Sequence, residues 1–149
     1  MNNTLWILVA DSCEAKVFAT EKVNDDWRLI KEFHHTEGHK KDIDLVSDKS
    51  GNFPNISRGS SSFSEPTDPK EAEAELFARH LAEELRLAHA RNEFHRLVVV
   101  APPRFHGLLK KSCESHVLKL IIKHLEKDYT KVKQYELIPL LRDQISVGN

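Results

Sequence analysis

The run His95-Arg-Leu-Val-Val-Val-Ala-Pro-Pro-Arg-Phe-His-Gly-Leu-Leu109 is the most informative part of the chain, and the remaining elements can be placed around it. Leu97 to Ala101 is unbroken, apolar and valine-rich, the composition of a strand buried on both faces of a parallel sheet. Pro102 and Pro103 end it, because proline has no N–H to donate to a ladder. A helix is expected from about Phe105 to Cys113. Ligands of open α/β sheets lie beyond the carboxyl ends of such strands, so the Pro102–Gly107 turn is the first place to seek a site.

Toward the N-terminus, Thr4 to Ala10 has the makings of a first central strand that stops at Asp11-Ser12. Cys13-Glu14 reads as a turn, Ala15 to Thr20 as a second strand, Asn24-Asp-Asp26 as a hairpin turn and Trp27 to His35 as a third strand. Periodicity then vanishes over 36–67, a long polar loop of a kind that is usually functional or disordered. Asp68-Pro-Lys-Glu71 carries helix-start signals: Asp to cap, Pro at the first helical position, Glu three residues after the cap. The helix should reach about Arg91, with Ala74, Phe77, Ala78, Leu81, Leu85 and Ala88 on one stripe. Leu76 and Leu87 stand off that stripe.

Beyond the central run, Ser115 to Lys127 fits two periods at once. Val117, Leu118, Ile121, Ile122 and Leu125 suit a helix, while the β-branched content and short length suit a strand. Asp128 to Lys131 is a break. Val132 to Arg142 is expected as a last helix with Pro139 near its end, and Asp143 to Asn149 as a polar tail. No repeat or linker divides the 149 residues, which make one domain.

The totals exclude several classes. A net charge of -1 creates no global field toward nucleic acid or membrane, although local patches are compatible with it. Two cysteines are too few for a disulfide framework. The N-terminus has no basic n-region, and no run approaches the ~20 apolar residues of a span. A cytoplasmic protein with no membrane contact is the expectation.

Some residues invite chemistry. His34, His35 and His39 lie near Asp42 and Asp44, but strand alternation puts the first two on opposite faces, so no shared metal and no cofactor is expected. Cys13 and His106 have the types of a nucleophile and its base. Lys40, Lys41, Lys49 and Arg58, interleaved with Phe53 and Phe63, have the composition of a surface that grips RNA phosphates and stacks on bases. Asp42, Asp44, Asp48 and Glu65 make an ordinary solvated loop the competing reading.

Several segments resemble one family in the same order. Trp6-Ile-Leu-Val-Ala-Asp-Ser-Cys-Glu-Ala-Lys-Val-Phe18, Ser47-Asp-Lys-Ser-Gly51, Phe77-Ala-Arg-His-Leu-Ala82, Leu97-Val-Val-Val-Ala-Pro-Pro-Arg-Phe105 with Gly107-Leu-Leu109, and Lys127-Asp-Tyr-Thr130 are similar to motifs of the bacterial host attachment proteins. That family in turn resembles the middle domain of archaeo-eukaryotic peptide-chain release factors and Pelota. The resemblance implies a ribonuclease H-like α/β fold with one mixed five-stranded sheet and helices on its faces. It makes 117–125 the fifth strand and sets the first and fourth strands side by side. His106 and Lys110 stand where the family pattern has Leu and Arg, and the Gly-Gly-Gln tip of release factors is absent.

On that fold, Asp11 and the Pro102–His106 turn share one sheet edge. Asp11 takes the position of a metal-binding carboxylate in ribonuclease H-like enzymes, but one carboxylate is no two-metal site, and a strand-capping turn residue is the alternative. Asp11, Ser12, Arg104 and His106 form the candidate ligand site, with Arg104 and His106 holding an anion beside helix N-terminal amides. The functional expectation is a binding module acting on ribosomes or RNA through the 36–67 loop. The alternative is a small hydrolase, metal-dependent or of the peptidyl-tRNA type, at the Asp11/Pro102–His106 edge. The residues leave enzyme against binder open, and oligomeric state is not legible.

Overall fold

A computed structural model describes residues 3–35 and 69–147. The 36–67 loop, with Lys40, Lys41, Lys49, Arg58 and His39, lies outside the described residues. Among the described residues, five strands and four helices follow in order: β1 (Leu5–Ala10), β2 (Glu14–Thr20), β3 (Arg28–His34), α1 (Pro69–Ala90), β4 (Arg96–Val100), α2 (Pro103–Ser112), α3 (Ser115–Leu118), β5 (Ile121–Leu125) and α4 (Gln134–Val147). The sheet order is β3-β2-β1-β4-β5. β1–β2 and β2–β3 pair antiparallel, whereas β1–β4 and β4–β5 pair parallel. This is the single mixed five-stranded sheet, with the first and fourth strands side by side, that the family resemblance implies.

The pleat of the middle strands explains the layers. Every residue of β1 is buried, as are Leu97 to Val100 of β4, because both faces are covered. Trp6, Leu8, Ala10, Val17, Leu97 and Val99 face α1 and α2, where Phe77, Leu81, Leu85, Phe105 and Leu109 pack. Leu5, Ile7, Val9, Phe18, Val98 and Val100 face α4, which supplies Leu137, Leu141 and Ile145. The capping of α1 at its C-terminus is explicit. Asn92 adopts a left-handed φ of 61°, its N–H donates to the His89 carbonyl, and the Glu93 N–H donates to that of Ala88.

Three expectations are corrected. The 117–125 strand is in fact a turn of helix at Ser115–Leu118 followed by β5 at Ile121–Leu125, so each competing period describes half of the segment. The last helix continues through 143–147 instead of giving way to a polar tail at Asp143: Leu137, Leu141 and Ile145 recur every fourth residue and are all buried. Pro139 therefore lies inside α4, on its exposed side. α2 begins at Pro103, two residues before the expected Phe105.

Both edge strands carry a bulge. Val17 pairs with Lys31 and Phe18 with Leu29, leaving Ile30 unpaired in β3; Leu97 pairs with Ile121 and Val98 with Lys123, leaving Ile122 unpaired in β5. An extra residue shifts the alternation by one, so His124 aligns with Val99 and faces the α1/α2 layer.

Candidate functional site

The parallel pair β1 and β4 ends at Asp11 and Pro102, and a cleft of about 320 Å³ opens there. Asp11 and Ser12 line its floor, Lys70, Glu71 and Ala74 of the first turns of α1 one wall, and Pro102, Arg104, Phe105 and Leu108 the other; Asp128 closes it from the β5–α4 connection. Pro102 is the N-cap of α2 in an extended conformation and offers no side-chain cap, so the first-turn amides lack the usual internal acceptor. The Arg104 side chain is 76% exposed, and its guanidinium donates through Nη2 to Oε1 of Glu71 at 3.2 Å.

Asp11 is already occupied. Its Oδ1 accepts the N–H of Cys13 at 2.8 Å and of Glu14 at 2.9 Å, which fixes the tight turn into β2. Its Oδ2 accepts the buried hydroxyl of Thr130 at 2.7 Å. One residue on, Lys131 donates to Glu14, which raises the Lys131 pKa by stabilising its ammonium form. The segment Lys127–Thr130 thus finds its physical role: it latches the β5–α4 connection to the β1–β2 turn.

His106 is placed elsewhere. Arg104 and His106 are two residues apart on α2, about 200° around the helix. Arg104 points into the cleft and His106 is 1% exposed, with Nε2 3.3 Å from Nδ1 of His124 on β5. Its Nδ1 is buried with no hydrogen-bond partner among the described residues. Burial lowers the His106 pKa, and His124 and Lys110 lower it further against a smaller opposing effect of Glu126. Partial desolvation of the more exposed His124, and then the Lys110 charge, lower its pKa against an opposing effect of Glu126. Both rings are held toward the neutral form.

The structure therefore brings Asp11, Ser12 and Arg104 together and leaves His106 out of the cleft. Ser12 Oγ lies 3.9 Å from the exposed Cys13 sulfur, and both stand at the turn that Asp11 fixes. His35 pairs with Glu73 at 2.7 Å and His34 with Glu32 at 3.7 Å, so the two imidazoles serve different partners. Among the described residues, no three His, Cys, Asp or Glu side chains converge as a metal site. Thr130 is the residue that sequence reasoning passed over, although it sits in a segment singled out for its resemblance.

Comparison with known families gives the chain its place. A family model described as "Protein required for attachment to host cells" matches residues 6–141. The chain belongs to that family. No curated protein matches this host attachment family member. Among solved structures it is similar to the archaeal translation termination factor aRF1, with a TM-score of 0.48 and 12% identity over 98% of this chain and 39% of that one. It is also similar to a chain described as an archaeal protein, with a TM-score of 0.43 and 12% identity over 98% of this chain and 38% of that one. The host attachment chain thus spans under two-fifths of the length of either. No described helix is long and apolar enough to cross a membrane.

Proposed function

We propose that this host attachment family domain is a binding module for ribosomes or RNA, with the cleft beyond β1 and β4 as its recognition site. The observation that carries the reading is the division of labour on α2. His106, the base that a Ser12 or Cys13 nucleophile would need, is packed against His124 instead of entering the cleft. Asp11, the one carboxylate placed for metal chemistry, spends Oδ1 on holding the turn and Oδ2 on the Thr130 hydroxyl. What remains directed outward is Arg104, which has five N–H donors and gives one nitrogen to Glu71, beside the uncapped first turn of α2. These groups hold phosphate oxygens without transforming them. Lys40, Lys41, Lys49 and Arg58 extend the contact from the 36–67 loop in this proposal.

Binding of the full chain to purified ribosomes, measured at low and moderate salt, tests it. Arg104→Glu should weaken binding about tenfold, as expected for losing one charge-assisted contact and adding a repulsion, and Ser12→Ala should leave it unchanged. Equal binding by Arg104→Glu and the parent would remove the cleft from the account. Turnover of peptidyl-tRNA abolished by Ser12→Ala would replace the binding module with the hydrolase.

A further inference from the structure

The chain is nearly neutral as a whole and strongly polarised in its parts. Residues 103–133 hold eight of the 22 Lys and Arg and three of the 23 Asp and Glu, a local charge of +5. The other residues, with 14 basic and 20 acidic side chains, carry -6. Three of its lysines, Lys119, Lys123 and Lys127, lie in β5 or directly beside it in sequence. β5 is the last strand in the order β3-β2-β1-β4-β5, and its outer side has no strand neighbour among the described residues.

Lys119 precedes β5, Lys123 lies within it on the α4 side, and Lys127 follows it, next to Asp128 of the cleft. Lys110 approaches from α2, close enough for its charge to act on both His106 and His124. At the upper end Lys133 leads into α4, whose first turn displays Tyr135 at 70% exposure, the most exposed large apolar side chain described. The two other cations of the segment that meet acids are Arg104, with Glu71, and Lys131, with Glu14. Lys110, Lys119, Lys123, Lys127 and Lys133 have no ion-pair or hydrogen-bond partner for their ammonium groups among the described residues.

We infer that the β5 edge is a track for the phosphate backbone of single-stranded RNA, running from Lys119 to the mouth of the cleft and ending at Tyr135 as a stacking platform. This deepens the binding-module reading and rests on it. β5 itself, five residues long, covers about 15 Å at strand rise, enough for two or three successive phosphates. Cations in and on either side of an edge strand, with an exposed ring on the helix that follows, suit a flexible linear polyanion that can follow the cations and lay a base on the ring. An anionic bilayer calls for a broad basic face backed by an apolar one that enters the headgroups. Here the apolar residue of the edge is the single bulged Ile122. The exposed Glu126 and Asp128 flank Lys127 and interrupt the row there.

Fluorescence anisotropy of a labelled uridine-rich single-stranded RNA, titrated with the full chain over a salt series, tests the track. The variant Lys119→Glu/Lys123→Glu/Lys127→Glu should lose at least tenfold in affinity and flatten the log–log salt slope by about 2, at roughly 0.7 per phosphate contact on a single strand. Tyr135→Ala should lose severalfold with the slope unchanged, the signature of stacking without charge. Arg79→Glu, on the exposed side of α1, is the control for nonspecific charge loss. Urea midpoints matching the parent show that each variant is folded.

Equal losses in the triple variant and in Arg79→Glu would overturn the track. So would binding to phosphatidylserine vesicles in the absence of RNA binding. Ribosome binding that survives the triple variant but not Arg104→Glu would remove the track and leave the cleft standing. Absence of both RNA and ribosome binding by the parent chain would remove both.

Discussion

The cleft and the β5 edge lie side by side and treat charge in opposite ways. In the cleft, acids and bases answer one another: Asp11 holds Thr130 and two backbone amides, Arg104 meets Glu71, and Lys131 meets Glu14 close by. Along β5 the lysines answer nothing within the described residues. Charges that satisfy each other hold the fold in place. Charges left over do little for stability and are available to a partner. Substitutions in the two regions should therefore fail in different assays.

The largest contrast is expected in unfolding. Asp11→Ala strips acceptors from two turn amides and from the buried Thr130 hydroxyl, and should cost about 2–3 kcal/mol in urea denaturation. Lys123→Glu should stay within about 0.5 kcal/mol of the parent. If Asp11→Ala proved as mild as Lys123→Glu, the latch would have no energetic content. Thr130→Val sharpens the point with a smaller loss of about 1–2 kcal/mol, because it breaks one contact and leaves the turn amides capped.

A weaker effect should appear with pH, at the boundary of the two regions. The pKa values of His106 and His124 are lowered in the folded protein, so near pH 6.5 and below the unfolded chain binds more protons than the native one. Their contribution to stability is complete above about pH 6.5 and is lost as the pH falls toward their lowered values. His106→Leu should flatten that part of the pH–stability curve, and an unchanged slope would contradict the assignment. The smallest test is chemical. Cys13 is exposed, whereas burial pushes the Cys113 thiol to about 11, so a thiol reagent at mildly alkaline pH should modify the first quickly and the second slowly.

Much of the architecture was legible because it rests on patterns local in sequence. The valine run Leu97 to Val100 and the proline pair after it set the buried parallel strand and its end, and Asp68-Pro-Lys-Glu71 marked the start of α1. The extent of α4 was equally present in the spacing of Leu137, Leu141 and Ile145, but Pro139 and the polar residues around Asp143 obscured it. The bulge at Ile122 has no sequence signal, and it decides which way His124 faces.

The site divides along the same line. Asp11, Ser12 and Arg104 meet because β1 and β4 are parallel neighbours. The role of Asp11 depends on Thr130, 119 residues away, which no local pattern reveals. The departure of His106 was computable in principle. Once α2 is started at Pro103, helical geometry sets Arg104 and His106 on opposite sides.

The decisive experiment is sedimentation of the tagged full chain through a gradient of lysate from its own cells, at low and at moderate salt. Migration with ribosomal particles that declines as salt rises is the expected result. Protein found wholly at the top of the gradient at both salt concentrations would contradict it.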